Sequence, residues 1–184
     1  MTTLVQSVIS ETEANHPTQT ESNSIPLFSS ESPQKVQIKW LDSGKPVLEG
    51  LESQQVEVSL SHDDKFCLCV VGQGPQGCDI IPINHRSQAD WMSLFSSDRQ
   101  LLLNQLLATD YESVDIAGTR LWAAIEALRK AFDTKDINLN IDSQQGDTVL
   151  FQGQAAGNEL YVMTFPVSFT KDSQRMIAAI VNKK

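Results

Sequence analysis

Four short stretches of this chain hold residue types that can do chemistry. "GKP" carries Lys45 in a turn, and "SLSHDD" puts Ser61 and His62 at the start of a strand. "GCDII" sends Asp79 into a strand, and "TRLWAAIEALRKAF" offers Glu126 and Lys130 on a helix. Most of these have a plain structural reading. Lys45 reads as a solvated turn lysine, and His62, beside Ser61, Asp63 and Asp64, as a hydrogen-bonded surface group. Glu126 and Lys130, four positions apart, form an ordinary helix pair worth about 0.2–0.5 kcal/mol. Asp79 is harder to place: Cys78, Ile80 and Ile81 around it imply a buried strand, where an ionised carboxylate needs a partner or a metal. Glu126 is then either a solvated helix acid or the second half of a metal site completed by Asp79.

The elements that must position these residues follow from the apolar pattern. "KVQIKWL" and "QVEVSLS" alternate with period two and read as strands, the first closed by the turn "DSGKP". "KFCLCVVG" is a more continuous apolar strand, and "GPQGCDIIPI" a turn followed by a short buried strand ending at Pro82. Two helices come next. One spans residues 87–107, with a break suggested by "SSD"; the other spans 113–132, where Leu121, Ile125, Leu128 and Phe132 make an apolar stripe. The end of the chain reads as strands again: "INLNI", "TVLFQGQ", "ELYVMTFPVSF" and "RMIAAIV", separated by polar turns. Strands, two helices and further strands make an α+β pattern, with an antiparallel sheet packed against two main helices. No internal repeat is present.

Composition bounds the function. The 184 residues, 40% of them hydrophobic, suit one domain with a core. Residues 1–34 are rich in Ser, Thr, Gln and Glu, contain Pro17, Pro26 and Pro33, and read as a flexible linker or leader, so the folded domain is expected over 35–184. Within that leader "TLVQSVI" could form a short helix, but nothing after it would bury one. The net charge is −9, of which Glu11, Glu13, Glu21 and Glu31 supply −4 with no Lys or Arg among residues 1–34. An acidic body without a basic block argues against non-specific nucleic-acid binding, so an anionic ligand must be met by a few local cations. No apolar run nears the roughly 18 residues of a membrane-spanning helix. The first residues lack the basic start and apolar stretch of a signal peptide, so a cytoplasmic protein is expected. Cys67, Cys69 and Cys78 lack the paired spacing of a zinc site and read as small core residues.

Taken in order, "GKPVL", "VSLSHDDKFCLCVV", "GCDIIPI" and "TRLWAAIEALRKA" resemble the 4′-phosphopantetheinyl transferase superfamily. There a G-[KR]-P turn is followed by a strand ending in S-H-[SD], then G-x-D-[IV]-E, then W-x-x-K-E-A-x-x-K-A. The resemblance covers about residues 36–132 and is nearest to transferase domains fused to large iterative polyketide or fatty-acid-type synthases. It implies a 4′-phosphopantetheinyl transferase-like lobe and transfer of the coenzyme A arm to a serine of an acyl carrier protein, releasing 3′,5′-ADP. It further implies Mg²⁺ held by Asp79 and Glu126, Glu126 as the proton acceptor, and Lys130 on a phosphate oxygen. Lys45, Ser61 and His62 would hold the 3′-phosphate and pyrophosphate. One-lobed members assemble as trimers with the coenzyme between subunits, which implies self-association. Two positions depart from the pattern: Ile81 stands where D-x-E has its second acid, and Ile125 where W-x-x-K-E-A has lysine. A lysine introduced at position 125 is expected to reach the phosphates. The alternatives are an impaired transferase-like domain that still binds a carrier or coenzyme A, and a hot-dog-type thioesterase or dehydratase, which the two successive helices disfavour.

Overall fold

The computed structural model describes residues 10–11, 36–50, 55–108, 112–170 and 173–182. The chain order is β1 (Ser10–Glu11), β2 (Gln37–Trp40), β3 (Pro46–Glu49), β4 (Val56–His62), β5 (Phe66–Gln73) and β6 (Cys78–Pro82), then α1 (Gln88–Leu94), α2 (Ser97–Leu107) and α3 (Val114–Phe132). Four strands close it: β7 (Asn138–Gln145), β8 (Thr148–Ala155), β9 (Asn158–Thr170) and β10 (Ser173–Val181). The fold is α+β. Five strands form one antiparallel sheet in the order β6-β10-β9-β8-β7, three form β1-β5-β4, and β2 pairs with β3.

The expected first helix is two. Phe95 and Ser96 take extended backbone between α1 and α2, where Ser96 becomes the N-cap of the second helix. Ser87 starts α1 with a capping box closed by Asp90. Ser113 starts α3, its hydroxyl accepting from the Ile116 N–H. Of the expected leader, only Ser10 and Glu11 fall among the described residues, where they pair with Cys67 and Phe66 of β5. The short helix considered for "TLVQSVI" lies outside the described residues.

The sheet is buried on both faces at its β6 end. Strand alternation sends Asp79 and Ile81 to the opposite side from Cys78 and Ile80. Ile81 packs on the main core with α3, Met176, Ala178 and Ile180, while Cys78 and Ile80 join Phe66, Leu68, Val70 and Ile177 in a second cluster. Helix α3 crosses β6, β10 and β9 and touches α2, which makes it the central strut. Gly77 lets β6 press onto it: a Cβ there would lie 1.9 Å from the Ala127 carbonyl oxygen. Gly118 does the same for α1, since a Cβ would meet the Trp91 ring at 2.3 Å. Among the described residues, no helix is long and apolar enough to cross a membrane.

Candidate functional site

Roughly 100° separates successive residues of a helix, and this divides α3 into two arcs. Ala117, Leu121, Ala124, Leu128 and Ala131 lie on the buried arc, joined by Ile125 at its edge. Glu126, Arg129 and Lys130 fall on the other arc and line a cleft of about 410 Å³. The facing wall is the β2–β3 turn, with Trp40, Lys45 and Pro46, and the inner end of β4, with Ser59 and Leu60. Asp133, Thr134 and Lys135, just past the helix, close one end. Asp133 caps α3 in the left-handed region, at φ 54°, and so turns the chain across the cleft.

Glu126 and Lys130 do not pair with each other, the arrangement their spacing favours. Glu126 bonds the Arg129 guanidinium instead. The Lys130 ammonium reaches across to β6, donating to the Cys78 carbonyl at 2.8 Å and to Asp79 Oδ1 at 3.1 Å. The same Asp79 oxygen accepts from the Ser61 hydroxyl at 2.8 Å, and Ser61 Oγ in turn accepts from the Ile80 N–H at 3.2 Å. Asp79, which a buried strand position required to have a partner, therefore finds one in a cation and a hydroxyl. Gly77 enables this contact by allowing β6 to approach the helix.

Lys45 lines the cleft 3.5 Å from Glu57. The structure thus brings Lys45, Glu126 and Lys130 to one cavity, with Asp79 and Ser61 tied to it through Lys130. It does not bring His62, which is exposed opposite Cys67; Ser61 and His62 end β4 and do not start a strand, because the alternation of "QVEVSLS" runs on through them. Ile125 is buried in the main core, so position 125 offers no side chain to the cleft. Ile81 likewise packs on that core. Among the described residues, no group of three or more His, Cys, Asp or Glu side chains is arranged to hold a metal ion.

Several cleft residues escaped the sequence reading. Arg129 and Lys135 join Lys45 and Lys130, giving four basic side chains against the carboxylates of Glu126 and Asp133. Glu57 on Lys45 and Asp79 on Lys130 bring the carboxylates to four, so the cations are gathered here in balance with acids on a protein of net charge −9. The pattern could have exposed Arg129, since it falls on the same helical arc as Glu126. Lys135 gives no such signal, being placed only by the turn at Asp133. Beneath the cleft, Cys78 is no nucleophile: burial pushes its thiol up to about 11, against a partial offset from the Ser59 hydroxyl.

The chain matches no known family model, and it matches no curated protein at a significant level. The functional reading therefore rests on the cleft and on the order of the motifs around it.

Proposed function

We propose that the chain transfers the 4′-phosphopantetheine arm of coenzyme A to a serine of an acyl carrier protein, in a Mg²⁺-dependent reaction that releases 3′,5′-ADP. The observation that carries this reading is the clustering of Lys45, Glu126 and Lys130 in one cleft, with Arg129 and Lys135 beside them. These residues come from motifs about 80 positions apart that match the transferase pattern in order. Three of these cations rest against carboxylates, Lys45 on Glu57, Arg129 on Glu126 and Lys130 on Asp79, but all three pairs are part-exposed, and a ligand with several phosphates can compete for such cations. The cleft is also of the size that encloses part of such a ligand.

The donor set suits Mg²⁺ in kind. The ion takes one or two carboxylates and completes its shell with water and substrate phosphates. Asp79 is held by Lys130 and Ser61 and Glu126 by Arg129, so each carboxylate would exchange a protein partner for the ion. These two carboxylates would hold the ion, which when bound would neutralise the pyrophosphate of the coenzyme.

The rest of the chemistry belongs to the chain. Lys45, Arg129 and Lys135 bind and orient phosphate oxygens. Lys130 stabilises charge that builds on the transferred phosphoryl group. Glu126 takes the proton of the carrier serine as its oxygen attacks the β-phosphorus. The bond from that phosphorus to the bridging oxygen breaks, and 3′,5′-ADP departs with the electron pair.

Incubation with coenzyme A, Mg²⁺ and an apo carrier protein, read by intact mass, tests the proposal. A carrier heavier by one phosphopantetheine arm is the expected result, lost when Mg²⁺ is chelated. A carrier that stays apo here, while an established transferase modifies it, would overturn the reading. The packing of Ile81 and Ile125 on the main core favours a second one: a domain that binds coenzyme A or a carrier without transferring. Calorimetric binding of coenzyme A with no mass change on the carrier would identify that case.

A further inference from the structure

Trp40 is 59% exposed and lines the cleft beside Lys45. The other two tryptophans are used inside the molecule: Trp91 is buried in the main core, and Trp122 packs against it partly buried. A large aromatic ring left in water serves no folding purpose, and here it stands in a concavity with four basic side chains. The hairpin fixes its place. Trp40 pairs with Pro46 across the β2–β3 ladder, and the Leu41 N–H donates to the Lys45 carbonyl at 3.0 Å. Ring and ammonium are thus presented by one short turn.

Apolar ring and phosphate-binding cations together make the recognition set for a nucleotide. Each base has a π-face that stacks on an aromatic side chain, while its phosphates need charge. Val36 and Ile38 share a strand face with Trp40 by alternation and are also exposed, but neither lines the cleft. Concavity and charge single out Trp40 for a small anionic ligand rather than for a flat protein contact.

We infer that Trp40 is the stacking platform for the purine ring of a phosphorylated nucleotide whose phosphates lie on Lys45 and its basic neighbours. The identity of that nucleotide, the 3′,5′-ADP portion of coenzyme A, rests on the transferase reading. Trp40 would then decide how the chain tells the whole coenzyme from its phosphopantetheine half.

Calorimetric titration of the full chain with 3′,5′-ADP and, separately, with 4′-phosphopantetheine tests this. Trp40→Ala should weaken 3′,5′-ADP binding by about tenfold or more. Trp40→Phe should keep most of the affinity, and 4′-phosphopantetheine binding should change little in either variant. In the wild type, 3′,5′-ADP should quench the emission of the exposed tryptophan, and 4′-phosphopantetheine should not. Unchanged 3′,5′-ADP affinity in Trp40→Ala would overturn the stacking role while leaving the transferase reading intact, provided carrier modification persists. Equal loss of both ligands would overturn it too, since Trp40 would then be shaping the hairpin. So would altered self-association with unaltered nucleotide affinity, which would mark the Val36–Ile38–Trp40 face as a contact between copies. Failure of the wild type to bind coenzyme A or 3′,5′-ADP would overturn the transferase reading, and the inference with it.

Discussion

Helix α3 makes two ion pairs with residues outside it, one with Glu112 just before its N-cap and one with Asp79 of β6, and they differ in everything but charge. Arg120 meets Glu112 at 2.7 Å, with both side chains almost completely buried, at 1% and 2% exposure. Lys130 meets Asp79 at 3.1 Å, with Lys130 34% exposed at the cleft. The Arg120 guanidinium is further fixed by the Thr164 carbonyl and hydroxyl and by the Asp147 carbonyl, each at 2.9 Å. Through its two terminal nitrogens this fork of donors ties α3 to β9 and to the β7–β8 turn. Burial pushes the Glu112 carboxyl up and the Arg120 guanidinium down, each opposed by its partner's charge. Lys130 has a compact head on a flexible stem and an open side. One pair is sealed into the fold; the other can exchange its partner for a ligand. Exposure, rather than charge type, separates an ion pair sealed into the fold from one open to solvent.

The largest effect should come from breaking the sealed pair. Arg120→Met leaves Glu112 buried without a counter-charge and strips Thr164 and Asp147 of their donor. Its cost should be about 3–5 kcal/mol in urea unfolding. Adding Glu112→Leu to the same chain should recover much of that loss, because an unpaired buried charge is worse than none. A single variant within about 1 kcal/mol of wild type would show that the pair is not sealed in solution.

Ile125→Lys probes the boundary between the arcs of α3. The family pattern leads one to expect that a lysine there meets the phosphates and speeds transfer. Burial of Ile125 in the main core argues otherwise. The variant should lose about 1.5–3 kcal/mol of stability from the forfeited apolar burial, less what its methylenes recover by lying along the surface. Its transfer rate should not rise. A stable variant with faster carrier modification would mean that α3 turns its Ile125 edge toward the ligand.

How much of this was legible in the sequence depends on the range of the interaction. Period-two and helical patterns reveal β2, β4 to β10 and α3 because each records its own burial locally. The two residues of β1 are too short to show a period, and β3, "PVLE", runs three apolar residues together without alternating. Arg120 lies within the apolar arc of α3, so a charge there was a readable sign of a buried partner, although nothing local points to Glu112. Asp79 was legible as a buried acid for the same reason, but its partner Lys130 is 51 positions away and reads equally well as a partner of Glu126. Lys135 and Trp40 were not legible as site residues, since only the tertiary arrangement puts them on one cleft.

The Asp63–Arg175 pair, intermediate in exposure, sharpens the contrast through pH. Arg175 Nε donates to Asp63 Oδ2 at 2.6 Å, joining the β4–β5 turn to β10 across 112 positions. Burial works against the Asp63 charge, but the Lys65 N–H, Arg175 and the Phe66 N–H outweigh it and hold the carboxyl below its ordinary value. A carboxyl depressed in the folded state stabilises the protein above its unfolded pKa of about 3.9 and loses that contribution as pH falls through the folded value. Asp63→Asn should therefore cost about 1.5–3 kcal/mol at neutral pH, the range for hydrogen bonds to charged groups. The gap to wild type should narrow only below about pH 4. A gap constant from pH 7 down to strongly acidic conditions would assign the cost to packing instead of charge.

Lys130→Met should have the smallest effect on folding, and it is the sharpest test of the comparison. Removing the ammonium deprives Asp79 of one partner, but the Ser61 hydroxyl remains at 2.8 Å and the vacated side of Lys130 faces the cleft, where water can enter. The stability cost should be about 1 kcal/mol, several-fold below that of Arg120→Met. Ligand binding should respond in the opposite order. On the proposed reading, Lys130→Met loses a cation from the cleft wall and should weaken coenzyme A binding by about tenfold or more, while a folded Arg120→Met/Glu112→Leu chain should bind as wild type does. Calorimetry with coenzyme A on both variants, beside their urea midpoints, reads both orders at once. If Lys130→Met instead unfolds the chain as readily as Arg120→Met, the open pair is also part of the frame. The cleft cation would then be committed to Asp79 and not to a ligand.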